Sequence, residues 1–240
     1  MSADAVDLSV VIPAFNEAGN LAPVVEETIA VLSNDPAAGA FEVIVVDDGS
    51  RDGTGEIADR LASVHATVRV IHHPVNRGFG GALRSGFSAS RGRLVSAISA
   101  DGELPPDQIL TLLRDMGDAD LILGRRERTV NAFRKALTWG LNVLMRLILG
   151  FVPDATAIYV VRGDLLRTMD LQSDTGLANL EVLLYCRHWN RKIRSGVTWT
   201  RPRLSGESKV TNARTMWRTL VEMFQLRMAI RRRAAGAKAS

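Results

Sequence analysis

Two segments in the first hundred residues are almost continuous in apolar, mostly β-branched side chains, Leu8–Ile12 (LSVVI) and Phe41–Val46 (FEVIVV), and Val68–His72 and Leu94–Ile98 read as further strands. Runs without polar alternation predict strands buried on both faces, the condition of a parallel sheet covered by helices. The segments between them have helical spacing. Residues 20–32 (NLAPVVEETIAVL) carry Pro23 in a first turn that tolerates it, with Asn16 upstream as a candidate cap. Thr54–Ser63 reads as a short helix, and NRGFGGALRSGFSAS as a glycine-rich turn opening a helix of small residues. This repeated strand-loop-helix order predicts an α/β fold, an open and mostly parallel sheet flanked by helices. Ligands of such sheets bind beyond the carboxyl ends of the strands.

Three polar segments follow predicted strand ends and are therefore expected to share one crevice: Pro13–Glu17, Asp47–Asp52 and Asp101–Glu103. No GxxxxGK[ST] is present, which excludes a P-loop. The nearest approach to a dinucleotide fingerprint, GFGGAL at 78–83, lacks the third glycine and follows the third strand, so it is a weak match. Carboxylates at Asp47 or Asp48 suit a base or ribose, while Asp101 suits a divalent cation on a diphosphate. A cation there would neutralise charge building on a leaving group.

Composition narrows the class. With 46% apolar residues in 240, the chain has enough for a substantial core, and it is neither disordered nor fibrous. The single cysteine, Cys186 in LLYCRHW, excludes an intramolecular disulfide and reads as a helix-packed thiol. The net charge of +4 hides an asymmetry. Residues 201–240 hold ten Lys or Arg against Glu207 and Glu222, a balance of +8, and the preceding 200 carry −4. Such a segment suits phosphate-bearing partners. Nucleic acid is disfavoured, because no aromatic stacking platform or nucleic-acid motif accompanies the charge. The acidic N-terminus MSADAVD lacks a secretory pattern, which predicts a cytoplasmic protein. The most apolar run, 141–152 (LNVLMRLILGFV), contains Arg146 and falls short of the roughly 20 residues that span a bilayer.

The motifs VIPAFNE (11–17), VVDDGSRDGT (45–54), NRGFGGALRSGF (76–87), SADGELPP (99–106) and RLSGESKV (203–210) together resemble the family 2 glycosyltransferases. The closest likeness is to the polyprenol-phosphate sugar synthases of the dolichyl-phosphate mannose synthase group, and it covers about residues 7–210. The resemblance implies a GT-A fold, a nucleotide-diphosphate sugar donor, a divalent cation (Mg2+ or Mn2+) and transfer with inversion. It implies nucleotide contacts at Pro13, Phe15 and Glu17, with Phe15 standing for a usual tyrosine, and places Val45 and Asp47 facing the base. Ala100, Asp101 and Glu103 fall in the metal and diphosphate segment, and Arg125, Arg203 and Lys209 at basic positions for the donor or acceptor phosphates. The chain departs from the family pattern at one point. Ser99 stands where the family has the first acid of Asp-x-Asp, so either Glu103 restores the missing charge beside Asp101 or metal binding is weak.

A polyprenyl phosphate acceptor is already anionic and needs orientation more than a base. Arg125, Arg126, Arg128, Arg134 and Lys135 precede the 141–152 run, and Thr215–Ile230 repeats an apolar stripe before Arg231–Arg233. Both patterns fit core packing or a helix lying on an anionic membrane surface. The expected organisation is a catalytic domain over 1–210 and a basic amphipathic C-terminal helix over 211–240. Without membrane-spanning helices, the enzyme would sit peripherally on the cytoplasmic face or be recruited by a membrane-anchoring partner. Two alternatives stay open: a soluble sugar or natural-product hydroxyl as acceptor, with Asp154 or Glu181 as base, and a non-catalytic paralogue that binds nucleotide or lipid. Glu181 is otherwise read as a solvated helix position, and His72 and His73 as structural residues ending a strand.

Overall fold

The structure is a computed structural model describing residues 5–126 and 158–203. Seven strands form one sheet in the order β3-β2-β1-β4-β6-β5-β7. They are β1 Leu8–Ala14, β2 Phe41–Asp47, β3 Val68–His72, β4 Leu94–Ala97, β5 Leu121–Arg126, β6 Tyr159–Arg162 and β7 Ile193–Thr198. Six run in the same direction, and β6 is antiparallel to both of its neighbours, β4 and β5. The carboxyl ends of six strands therefore lie on one rim. The helices are α1 Leu21–Ser33, α2 Thr54–Val64, α3 Gly78–Ala89, α4 Asp107–Met116, α5 Gly163–Arg167 and α6 Leu177–His188.

Two core layers sandwich the sheet. Val10, Ile12, Val43 and Val45 pack with α1, α2 and α4 on one face. Val11, Ile44 and Val46 pack with α3, α5 and α6 on the other. Burial on both faces is why these strands read as unbroken apolar runs. Helix α3 lies so close to β1 that a Cβ at Gly86 would stand 2.3 Å from Val11 Cγ1, so only glycine permits this packing. At the opposite rim, buried Glu42 gathers Ser9 Oγ and Arg91 N–H on one oxygen and Arg69 on the other, each at 2.7 Å.

The predicted elements of the first hundred residues are present, with two corrections. Pro13 does not end β1, which continues to Ala14 and leaves Pro13 buried. Val11 C=O accepts Ile98 N–H and Ala14 C=O accepts Asp48 N–H, so alternate residues face β4 and β2. The missing N–H of Pro13 thus falls on the β4 side, where that strand has already ended at Ala97. Asn16 caps no helix: it has a φ of 51°, and α1 begins after Asn20. The sheet also gains β5, β6 and β7, for which the apolar pattern gave no comparable signal. The apolar run 141–152, the stripe 215–230, the segment 211–240, Asp154 and Lys209 all lie outside the described residues.

Candidate active site

The order of connections reverses between the neighbours β1 and β4, and ligands of such sheets are expected in the crevice beyond the carboxyl ends of the strands at such a point. One wall is made of the loops after β1 and β2, tied together by four bonds. Asn16 N–H donates to Ser50 Oγ (2.9 Å), Arg51 N–H to Asn16 Oδ1 (2.9 Å), Glu17 N–H to Thr54 Oγ1 (2.9 Å) and Ala18 N–H to Asp52 Oδ2 (3.2 Å). Burial works to raise the pKa of Asp52, but the Thr54 hydroxyl and the amides of Ala18 and Thr54 outweigh it and hold the carboxyl below its usual range. Phe15 and Glu17 sit half-buried on this wall. Glu17 Oε2 accepts Asn20 Nδ2 at 2.7 Å.

Asp47 ends β2, 6% exposed, in register with Ala14 on one side and His72 on the other. Its Oδ1 accepts Ser50 N–H at 3.1 Å, and its Oδ2 lies 3.1 Å from His72 Nδ1. Asp48 is 2% exposed, and its Oδ1 meets His73 Nδ1 at 2.6 Å and Arg77 N–H at 2.8 Å. Two strand spacings, about 10 Å, separate the β2 and β4 ends.

Across that gap lies the loop after β4. Asp101 is 6% exposed, and Gly102, with a φ of 73°, turns the chain so that Glu103 donates its N–H back to Asp101 Oδ1 at 3.0 Å. Arg203 bridges the two acids: Nη2 lies 2.8 Å from Asp101 Oδ2, and Nε 2.8 Å from Glu103 Oε1. Partial burial opposes the Arg203 charge, but the Glu103 hydrogen bond and the fields of Asp101, Glu103 and Glu17 outweigh it and raise the guanidinium pKa. The stretch leaving β7 is held along this loop. Trp199 N–H donates to Gln108 Oε1 (3.0 Å), Arg201 N–H to Glu103 C=O (3.1 Å) and Arg201 Nε to Gly102 C=O (2.8 Å). The Arg201 guanidinium closes on both oxygens of Glu27.

The structure thus gathers Asp101, Glu103 and Arg203, with Glu17 near enough to act on the Arg203 charge, and places Asp47 on the same rim. Arg125 stands exposed at the end of β5, also on that rim, in register with Val197. Three of the expected residues are buried. Val45 is fully buried in the α1–α2 core layer, so its side chain does not face a base, and Ala100 is likewise a core side chain at 1% exposure. Pro13 is buried within the sheet. Among the described residues no three His, Cys, Asp or Glu side chains form a metal-binding group.

Other expectations change with the geometry. The glycines of GFGG hold chain, not phosphate: Gly80 N–H donates to Asp174 C=O at 3.0 Å, and a Cβ at Gly80 would stand 2.1 Å from Ser173 C=O. Arg84 fastens the same loop through Ser173 C=O and Asp174. Glu181 is no solvated helix residue. At 2% exposure it accepts the amides of Gln172 and Ser173 at 2.8–3.1 Å, which commits it to holding that loop and removes it as a base. Cys186 is fully buried, and burial pushes its thiol up to about 12, leaving it inert. Sequence reasoning missed Arg201, whose only signal was its basic neighbourhood, and the pairing of His72 and His73 with the two aspartates.

Comparison with known proteins follows the same lines. The chain is 38% identical over 143 residues to the undecaprenyl-phosphate mannosyltransferase of Micrococcus luteus, covering 55% of this chain and 59% of that one. It is 38% identical over 117 residues to the human dolichyl-phosphate beta-glucosyltransferase, covering 46% and 36%. To the dolichol-phosphate mannosyltransferase of Saccharomyces cerevisiae it is 33% identical over 121 residues, covering 50% and 45%. The matches thus span little more than half of these relatives at most. Among solved structures, glucosyl-3-phosphoglycerate synthase from Mycobacterium tuberculosis, in complex with Mn2+, uridine diphosphate and glucosyl-3-phosphoglycerate, superposes with a TM-score of 0.62 at 21% identity, covering 93% of this chain and 78% of that one. That likeness establishes a shared GT-A-type fold. The profile of Glycosyl transferase family 2 matches residues 9–154, from β1 through the Asp101–Glu103 loop and β5, and on more than half its length this chain belongs to that family.

Proposed function

We propose that this chain transfers a hexose from a nucleotide-diphosphate sugar to a polyprenyl phosphate with inversion at the anomeric carbon. The observation that carries this reading is its likeness to relatives named for transfer to undecaprenyl and dolichyl phosphate. The rim geometry supports it: carboxylates on two loops of one crevice, and a guanidinium beside the acids of the second.

In this reading Asp47 and Glu17 hold the nucleoside, with Phe15 along the same wall. Asp101, with help from Glu103, holds Mg2+ or Mn2+ jointly with the donor diphosphate. Two carboxylates, with no group of three side-chain ligands among the described residues, fit a cation that completes its shell with substrate phosphates and water. When bound, the cation would neutralise charge on the departing nucleoside diphosphate. Arg203, Arg125 and Lys209 supply fixed positive charge toward the donor and acceptor phosphates. An acceptor phosphate oxygen forms the new bond to the anomeric carbon as the bond to the diphosphate oxygen breaks. An anionic nucleophile needs no base, which agrees with Glu181 being committed elsewhere.

Among the described residues no helix is long and apolar enough to cross a membrane. The acceptor nevertheless lies in a bilayer, so the reading places the chain at a membrane surface, on the cytoplasmic face, with its basic segments or a membrane-anchoring partner holding it there.

The test is incubation of the purified chain with a panel of radiolabelled nucleotide sugars and polyprenyl phosphate, with and without Mn2+, scoring label extracted into organic solvent. Label in the lipid that depends on the cation and is nearly abolished by Asp101→Asn is expected. Label moving only to soluble acceptors would replace the acceptor assignment.

A further inference from the structure

The adjacent histidines at the end of β3 each take one of the adjacent aspartates at the end of β2, but the two pairs differ in kind. Buried His73 lies between one carboxylate and one hydroxyl, with Nδ1 2.6 Å from Asp48 Oδ1 and Nε2 2.8 Å from Ser85 Oγ. A neutral imidazole satisfies both, donating to Asp48 and accepting from Ser85. His72 instead lies between two carboxylates: Nδ1 is 3.1 Å from Asp47 Oδ2, and Nε2 is 3.0 Å from Asp59 Oδ1. A neutral imidazole has one N–H and would turn a lone pair on one of these oxygens. Only the imidazolium donates to both.

The surroundings favour that state. The charged groups facing His72 are Asp47 from β2 and Asp59 from α2. Its side chain is 44% exposed, so the proton exchanges freely with solvent. Helix α2 presses on the pair through Gly55, where a Cβ would stand 2.9 Å from Asp47 Oδ2 and 3.5 Å from His72 Cε1. With Ser50 N–H fixing Oδ1 and His72 fixing Oδ2, the plane of the Asp47 carboxylate is set from both sides.

We propose that His72 is a positioning residue for the nucleotide, a protonated bridge from Asp59 that orients Asp47 in the crevice and makes nucleoside diphosphate affinity depend on pH. This inference rests on the reading of Asp47 as a nucleotide contact. Hydrogen bonds to Asp59 and then Asp47 raise the His72 pKa above its ordinary value of 6.5, outweighing the opposing effect of burial. The bridge is therefore intact at and below that value and is lost as pH rises through the raised one.

The experiment is calorimetric titration of the full chain with uridine and guanosine diphosphates, from about pH 6 to about pH 9. It compares the wild type with His72→Gln, Asp59→Asn and Asp47→Asn, each checked for folding by circular dichroism. Titration of the ligand's own phosphate is common to all four proteins. Wild-type affinity is expected to fall about 3- to 10-fold across the range, the worth of one hydrogen bond. His72→Gln should be flat relative to it, at the weaker level. Asp59→Asn should keep full affinity at low pH and flatten the fall at high pH, because the amide introduced there can donate to Nε2 of a neutral imidazole whose Nδ1–H stays on Asp47, a change that a purely structural role would not produce. Should His72→Gln fail to fold, the flattened Asp59→Asn profile decides alone, since Asp59 is 67% exposed and replaceable. If Asp47→Asn binds as the wild type does, the nucleotide role of Asp47 fails. If it weakens binding while His72→Gln keeps the wild-type slope, or Asp59→Asn falls with pH as the wild type does, the inference about His72 fails and the role of Asp47 stands.

Discussion

Arg203 Nη2 lies 2.8 Å from Asp101 Oδ2, joining the stretch after β7 to the loop after β4. A guanidinium between two carboxylates holds them close together, and its fork presents further donors to an incoming phosphate. Arg203→Ala is expected to lower kcat/KM about 100-fold, the scale of losing one preorganised charge contact. Stability should fall by about 1–3 kcal/mol, because Arg203→Ala leaves the buried Asp101 carboxylate without its partner. Arg203→Lys keeps the charge without the fork and should fall between. Steady-state kinetics and thermal melts of the three proteins check this, and wild-type kinetics in Arg203→Ala would remove Arg203 from the site.

The glycine-rich turn offers a paired test of what its glycines do. A Cβ at Gly80 would collide with Ser173 C=O, so Gly80→Ala should cost about 1–3 kcal/mol as the 172–175 loop is displaced. Gly176 precedes α6 at a φ of −60° with nothing within 4 Å of an added Cβ. There alanine should be neutral or stabilise by about 0.4–1 kcal/mol. Urea denaturation midpoints decide, and equal effects at the two positions would contradict the packing account.

Glu42 predicts the shape of the acid limb. Burial works to raise its pKa, but hydrogen bonds from Ser9, the Arg91 amide and Arg69, with the Arg69 charge, outweigh it and hold the carboxyl below the usual range. A depressed folded-state pKa means stability present above about pH 4.3, the unfolded value, and lost as pH falls through the folded one. Glu42→Gln should therefore be less stable by about 1–3 kcal/mol near neutrality, with the deficit closing in acid. Urea unfolding across a pH series measures it, and a deficit that does not change with pH would contradict the charged role.

β1 and β2 were legible because helices cover both faces, which leaves an unbroken apolar signature at Val10–Ile12 and Val43–Val46. Of the last three strands, β7 (IRSGVT) is half exposed and carries no apolar run, and β6 sits antiparallel between β4 and β5, a pairing no local pattern encodes. Motif order located Asp101 and Arg203, but side-chain direction was not readable. Val45 belongs to the motif and points into the core because the period-two alternation sends it there. Glu181 read as solvated because nothing nearby in sequence reveals the amides of Gln172 and Ser173 that it receives. The two histidines looked like strand punctuation, since their partners lie 25 residues earlier.

Ser99, where the family carries an acid, makes the cation site testable in both directions. Ser99→Asp adds a hard, charged oxygen ligand two residues from Asp101 and should tighten Mn2+ about 10-fold or more in the presence of nucleoside diphosphate. Isothermal titration with Mn2+ reads this. An unchanged affinity would place position 99 outside the cation's reach.

The proposed function requires the Asp101–Glu103 loop to hold a divalent cation together with the donor diphosphate. Electron paramagnetic resonance of Mn2+ mixed with the purified chain tests it most directly, with and without uridine or guanosine diphosphate, in wild type and Asp101→Asn. Bound Mn2+ should appear with the nucleotide in the wild type and disappear in Asp101→Asn. Equal Mn2+ binding by the two proteins would contradict it.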